Sequence, residues 1–136
     1  MQKFTALIGL FVLGLFQALA EPAQADEKLW ANCRTCHAIT APDGRVLARG
    51  GRSGPNLFAL AGRPVAGDTS FKLYSRDLQA LRSAGRRWNE GDFVAYLANP
   101  DQFLQAATGN PSARSDMHVQ MRQGGAALWA WIGGLR

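Results

Sequence analysis

The hydrophobic pattern divides the chain into one apolar stretch and a series of short helical segments separated by irregular ones. Residues 4–16 are almost wholly apolar. Further along the chain, apolar residues recur at the three- and four-residue spacing of amphipathic helices, and clear strand alternation is absent. The pattern therefore predicts an all-α fold with short helices and long loops.

Four helices are predicted, and each has a local signal. They cover residues 25–32, residues 73–83, a segment from the Asn89 cap to just before Pro100, and residues 123–132. Asn89 is a favourable cap, and a proline restricts the residue before it, so that a helix is expected to end there. The last helix carries apolar residues at i, i+3, i+4 and i+7, namely Leu128, Trp131, Ile132 and Leu135. Residues 39–67 are rich in Gly and Pro, with a turn signal at residues 42–44, and are predicted to form a loop.

The apolar stretch has the features of a secretory signal peptide. A lysine precedes it, and small residues at positions 18 and 20 form a cleavage site. Cleavage after Ala20 is favoured over Ala25, because the latter leaves only seven residues before Cys33. The stretch is short for a membrane span of about 20 residues, so a retained anchor is the weaker alternative. We expect residues 1–20 to be removed and the protein to be exported to the periplasm.

Residues 21–136 are predicted to form a single small domain, which buries only a limited core on its own. Without Lys3 this segment has 14 basic and 10 acidic side chains, a net charge of +4. The arginines and lysines are scattered, with no dense basic run. This balance favours an acidic partner surface over nucleic acid.

The five residues Cys33-Arg34-Thr35-Cys36-His37 carry the strongest chemical signal. Cys-x-x-Cys-His is the attachment motif of a c-type haem. Two thiols on one turn can each form a thioether to a haem vinyl group, and the following histidine then lies beneath the iron. His37 is therefore the candidate proximal ligand.

Other uses of the two cysteines are less consistent with the sequence. A zinc site needs four ligands, but the chain has two cysteines and two histidines, with His118 81 positions beyond His37. A thioredoxin-like pair requires a βαβ context, which the pattern does not show. A disulfide between Cys33 and Cys36 would leave the adjacent histidine and a distant methionine without a role.

Three residues are candidates for the sixth ligand, and spacing alone does not choose among them. Met117 lies in a polar loop, Met121 lies closer to the last helix, where methionine often fills gaps, and His118 resembles a surface histidine. A methionine ligand raises the reduction potential relative to a second histidine and favours electron transfer.

Taken together, these segments resemble the class I cytochromes c, above all the bacterial cytochrome c₂ type with long loops. The similarity covers essentially all of residues 21–136. It rests on residues 33–44, 53–58, 62–63, Tyr74, Trp88, 96–100 and 128–132.

The resemblance implies a cytochrome c fold wrapped around one covalently bound haem, and a role for each matching residue. Cys33 and Cys36 would hold the haem, and His37 and Met117 would ligate its iron. The Pro55 carbonyl would accept the imidazole N–H of His37. The remaining assignments are Tyr96 beside the methionine sulfur, Tyr74, Trp88 and Arg63 around the haem propionates, and Met121 in the core.

The chain departs from this family in three places. A glycine–aromatic pair of the N-terminal helix is replaced by Asp26 and Trp30, so we expect Trp30 to pack against Trp131 instead. Val119 stands where many members have a phenylalanine over the haem, and this smaller cover is expected to admit water and lower the potential. Arginine replaces most of the lysine of the usual docking face.

With both axial positions filled, the resemblance implies a monomeric single-electron carrier and not an enzyme. Expected partners are membrane redox complexes, with a cytochrome bc complex as donor and a reaction centre or terminal oxidase as acceptor. Docking would be transient and charge-steered, without stable membrane insertion. One alternative is a dedicated acceptor for a periplasmic dehydrogenase, docking through Trp129 and Trp131. The other is a gas sensor or peroxidase in which Met117 leaves the iron and His118 assists.

Overall fold

The structure is a computed structural model that describes residues 27–136. The predicted signal peptide, both cleavage sites and the departure at Asp26 lie outside the described residues.

The described chain is mostly helical, in agreement with the predicted all-α class. A first helical segment, α1, occupies residues 27–30 and leads into the Cys-x-x-Cys-His turn. The elements that follow are β1 (Ile39–Thr40), β2 (Val46–Ala48), α2 (Arg76–Ser83), α3 (Glu90–Ala98), α4 (Pro100–Thr108) and α5 (Gly125–Gly134). Irregular segments separate most of them. Within residues 27–136, no helix has both the length and the apolar character needed to cross a bilayer.

The predicted loop after the haem motif contains a small sheet. Strands β1 and β2 pair antiparallel, with Ile39 opposite Ala48 and Thr40 opposite Val46. The turn between them includes Gly44, whose φ of 88° suits a residue without a side chain. The prediction of loop is therefore wrong at the strand residues. Strands of two and three residues are too short to display alternation.

Helix boundaries follow side-chain caps. The second predicted helix starts at Arg76, later than expected, because the Ser75 hydroxyl accepts a hydrogen bond from Leu78 N at 3.3 Å. The cap predicted at Asn89 is present, since its side chain accepts from Asp92 N at 2.9 Å.

Helix α4 is absent from the sequence prediction, which treated Pro100 only as a stop. The proline instead occupies the first position of a new helix, where its missing N–H has no cost. Asn99 caps that helix by accepting a hydrogen bond from Gln102 N at 3.1 Å. The same proline therefore marks the end of α3 and the start of α4.

Helices α3, α4 and α5 pack around an apolar core that supports one side of the site. Leu104 and Leu128 are fully buried. Gly125 allows α5 to approach α3 closely, because a Cβ there would lie 3.3 Å from the Val94 side chain. The expected contact between Trp30 and Trp131 is confirmed, with ring centroids 5.7 Å apart.

An aromatic cluster links α3 and α4 to the segment before them. Trp88 stacks on Phe103 with centroids 6.1 Å apart, and Tyr96 lies 5.4 Å from Trp88 and 5.6 Å from Phe103. All three side chains are buried. Such pairs stabilise the packing beyond the area that they bury.

Candidate functional site

One cavity of about 930 Å³ gathers nearly all the residues that the sequence singled out. Its size lies at the upper end of the roughly 300–1,000 Å³ typical of cofactor sites. The predicted site residues that line it are Cys33, Cys36, His37, Pro55, Tyr74, Trp88, Tyr96 and Met117. Arg63 is not among its lining residues. The other two candidates for the sixth ligand, His118 and Met121, also line it.

The cysteine motif forms a single helical turn. Cys36 N and His37 N donate to the Cys33 carbonyl at 3.1 and 2.9 Å, so the backbone of the three residues is held in one turn. Both cysteines are free thiols, which does not support the disulfide alternative. Burial raises the pKa of the free Cys33 thiol to about 11.

Glycines bring the following loop close to this turn. Gly51 N donates to Arg34 O and Gly54 N donates to Cys36 O, each at 2.8 Å. A Cβ on Gly54 would overlap the His37 ring, and one on Gly51 would overlap the Thr35 carbonyl. Only glycine therefore permits the loop to lie this close to the cysteine turn, and the close contact places Pro55 beside His37.

The His37 ring is oriented by a backbone carbonyl. Its Nδ1 lies 2.7 Å from Pro55 O, which is the contact that the resemblance implied. A carbonyl only accepts, so Nδ1 donates its proton and Nε2 keeps its lone pair. Burial lowers the pKa of His37, the Pro55 bond opposes this, and the Arg63 charge lowers it further. A neutral imidazole with a free Nε2 is the form that binds a metal.

Asn56 and Asp68 hold the segment that presents Pro55. The Asn56 amide exchanges two hydrogen bonds with the Thr40 backbone, at 3.0 and 2.8 Å. Asn56 N donates to the Asp68 carboxylate at 2.8 Å. Partial burial raises the pKa of Asp68, but its hydrogen bonds from Ser70 and Asn56 outweigh this and lower it overall. Neither residue has a local signal in the sequence, because their partners lie 12 and 16 positions away.

Near Met117, a buried pair of hydroxyl groups holds the loop that carries this methionine. The Tyr96 hydroxyl lies 2.8 Å from Ser115 Oγ, and Ser115 Oγ accepts from Met117 N at 3.0 Å. Ser115 is only 5% exposed. Burial raises the pKa of Tyr96, and nearby carboxylates add to this against the Ser115 bond, so its hydroxyl is neutral.

The other residues near Met117 differ in exposure, namely Met121, His118 and Val119. Met121 is half-buried and its N donates to Leu97 O at 2.7 Å. Its methyl group lies near α5, 3.3 Å from where a Cβ on Gly124 would be. Both His118 and Val119 are exposed, the latter by 40%. The small cover expected at Val119 therefore lies at the cavity mouth.

Polar groups suited to a carboxylate lie at one end of the site. Tyr74 lines the cavity, and its hydroxyl accepts from Asp68 N at 3.1 Å, which leaves its own proton free to donate. Arg63 Nη1 donates to Phe58 O at 2.9 Å. Its Nε is buried and has no partner within the described chain. An unpaired buried donor is costly, so an anionic group nearby would be favoured.

The observed groups fit a covalently bound haem. Two free thiols, a neutral imidazole and a thioether line one largely apolar space, and the Arg63 guanidinium, whose Nε is buried without a partner in the described chain, lies outside that lining. By contrast, no three His, Cys, Asp or Glu side chains cluster anywhere in residues 27–136, so the zinc alternative has no ligand set there.

Comparison with known proteins gives a consistent set of relatives, although no family model matches the chain. The chain is 38% identical over 116 residues to cytochrome c2 of Fuscovulum blasticum, covering 83% of this chain and 73% of that one. It is 38% identical over 109 residues to cytochrome c-551 of Roseobacter denitrificans, covering 80% and 77%. The solved structure of cytochrome c2 from Rhodobacter capsulatus matches with a TM-score of 0.78 at 33% identity, over 82% of this chain and 96% of that one.

Proposed function

Since the chain belongs to the bacterial class I cytochromes c, we propose that it is a periplasmic single-electron carrier whose haem iron is ligated by His37 and Met117. The chain carries covalently attached haem c and serves electron transfer and not catalysis. The observation that carries the finer proposal is that His37 and Met117 line the same cavity as both cysteines. When bound, the haem supplies a one-electron couple between Fe(III) and Fe(II).

The protein contributes a mostly apolar environment. Cys33 and Cys36 anchor the haem so that it cannot dissociate, and Pro55 keeps the His37 ring in one orientation. Tyr74 and Trp88 on the cavity wall, with the Arg63 cation nearby, would offset the negative charge of the propionates. A fixed ligand set reduces the rearrangement that accompanies each electron.

The local hydrogen bonds favour Met117 over the two other candidates. The backbone of Met117 is held by a buried serine hydroxyl, which suits a residue that must present its side chain from a loop. The methyl end of Met121 lies against the start of α5, and His118 is exposed at the mouth. Met121 is therefore assigned to packing.

An optical spectrum of the oxidised holoprotein tests the ligand set. A weak far-red band, characteristic of methionine-ligated ferric haem, is expected in the wild type. It should disappear in Met117→Ala and persist in the matched variant Met121→Ala. Retention of the band in Met117→Ala would overturn the assignment.

Export is tested by mass spectrometry of the mature protein from a periplasmic extract. A chain that starts at Glu21 and carries one haem is expected. A cytoplasmic protein that retains residues 1–20 would contradict the proposed location.

As a carrier, the protein is expected to exchange electrons between membrane complexes, from a cytochrome bc complex to a reaction centre or terminal oxidase. The positive balance of residues 21–136 supports weak docking to acidic surfaces, which salt screens. Lys72 lines the cavity, whereas Arg136 does not. Turnover with a partner complex should fall steeply with ionic strength, and Lys72→Gln should slow it more than Arg136→Gln. Turnover that is insensitive to salt would refute charge steering.

An exposed tryptophan face would fit the alternative of a dedicated acceptor, but both tryptophans are partly covered by packing. Trp129 packs against Phe93 with centroids 5.2 Å apart, and Trp131 packs against Trp30. Both are half-buried. A mobile carrier is therefore the better supported function.

A further inference from the structure

The segment that carries Met117 has little regular structure of its own. Residues 109–124 contain neither helix nor strand. Such a segment cannot fix a side chain through a backbone ladder, so its position depends on contacts with its neighbours.

Asp101 supplies one of these contacts from the first turn of α4. One carboxylate oxygen accepts a hydrogen bond from Ser115 N at 2.8 Å, and the other lies 3.8 Å from Arg114 Nε. Ser115 in turn accepts from Met117 N, so two successive hydrogen bonds connect Asp101 to the methionine backbone. Asp101 also lies near the positive end of the α4 dipole, which favours a carboxylate.

Asp77 provides a second and more distant connection. Its carboxylate accepts from Arg114 N at 3.3 Å, and Asn110 Nδ2 lies 3.5 Å away. These longer contacts bind the beginning of the loop to α2. Asp101 has the shorter bond and lies closer in sequence to the methionine, so it is the more direct restraint.

We propose that Asp101 is a positioning residue for the axial methionine, acting through Ser115 to keep the Met117 loop closed over the iron. This inference rests on the proposed ligation by Met117. Without the carboxylate, Ser115 N loses its acceptor and the loop can move away from the haem more easily. An external ligand should then replace the methionine sulfur more readily.

Titration of the oxidised holoprotein with imidazole tests this role, with loss of the far-red band as the signal. Asp101→Ala should bind imidazole about five- to tenfold more tightly than the wild type, which corresponds to the loss of one hydrogen bond. Asp101→Asn keeps an oxygen acceptor for Ser115 N, so its affinity should lie within about threefold of the wild type. If the alanine variant does not retain haem, Asp101→Leu, which likewise has no acceptor for Ser115 N, takes its place.

Asp43→Ala is the matched control. Asp43 likewise accepts from a backbone N–H and pairs with an arginine, since Arg45 N and Arg45 Nε both lie 2.9 Å from its oxygens, but it belongs to the β1–β2 turn. The Asp43→Ala variant should bind imidazole with the affinity of the wild type.

The possible results distinguish the positioning role of Asp101 from the proposed ligation by Met117. Unchanged imidazole affinity in Asp101→Ala, with or without lower stability, would overturn the positioning role while the wild-type band remains. An affinity raised equally in Asp43→Ala would also overturn it. Absence of a Met117-dependent band in the wild type would overturn the ligand assignment itself, and the inference would fall with it.

Discussion

The buried hydrogen bond between Tyr96 and Ser115 gives a quantitative prediction about stability. Tyr96 is 8% exposed and Ser115 is 5% exposed, so neither hydroxyl has ready access to water. The serine oxygen also accepts from Met117 N. Removing the Ser115 hydroxyl should therefore lower the free energy of unfolding more than removing the Tyr96 hydroxyl.

Ser115→Ala leaves two polar groups without a partner, the Tyr96 hydroxyl and the Met117 N–H. A buried unsatisfied group costs about 1–3 kcal/mol, so we expect the free energy of unfolding to fall by roughly 2–3 kcal/mol. Tyr96→Phe removes one hydroxyl, while Ser115 keeps its bond from Met117 N. Its expected cost is about 1 kcal/mol.

The double variant should be less destabilised than the sum of the single variants, because the phenylalanine leaves no hydroxyl stranded by the loss of Ser115. We expect a coupling energy of about 1 kcal/mol. Guanidinium unfolding of the oxidised holoprotein at pH 7, followed by far-ultraviolet circular dichroism, measures all four proteins. Additive effects, or a larger cost for Tyr96→Phe than for Ser115→Ala, would refute the reasoning.

Two further predictions concern the histidine side of the site. Gly54→Ala should weaken His37 ligation and lower the yield of haem-loaded protein, because the new methyl group overlaps the imidazole, whereas Gly133→Ala meets no neighbour within 4 Å and should load normally. Equal loading of both variants would contradict this. Asp68 has a lowered pKa, so its contribution to stability is present above about pH 4, the unfolded-state value, and is lost as the pH falls through the folded-state value. Between pH 5 and pH 3, the free energy of unfolding should therefore fall less in Asp68→Asn than in the wild type. An equal fall in both proteins would show that the Asp68 bond to Asn56 is not responsible.

The parts of the site that could be predicted from the sequence are those encoded locally. The Cys-x-x-Cys-His turn is five consecutive residues, and the cap at Asn89 acts three positions away. Helix α4 was missed because Pro100 was interpreted only as a stop. The two-stranded sheet was missed because its strands are too short to show a period.

Contacts between distant residues could not be predicted in this way. Asp101 and Ser115 are 14 positions apart, and neither residue type signals the bond between them. The same is true of Asn56 and Thr40. Arg63 lies outside the cavity lining and keeps one buried N–H unpaired within the described chain, so its place around the haem propionates stays a prediction. Such pairs depend on how the loops fold over the core.

The two proposed axial ligands are held by different means, and this has a consequence for how the site would open. His37 belongs to a turn with its own backbone hydrogen bonds, and the glycine at position 54 presses the next loop against its ring. Met117 lies in a segment without helix or strand, where the hydroxyl of Ser115 and the carboxylate of Asp101 hold the part before it and the bond from Met121 N to Leu97 O holds the part after it. The Asp101 carboxylate is partly exposed, and a side-chain bond open to water breaks more easily than a packed backbone turn. Opening should therefore begin at the methionine, while the histidine and both thioethers keep the haem in place.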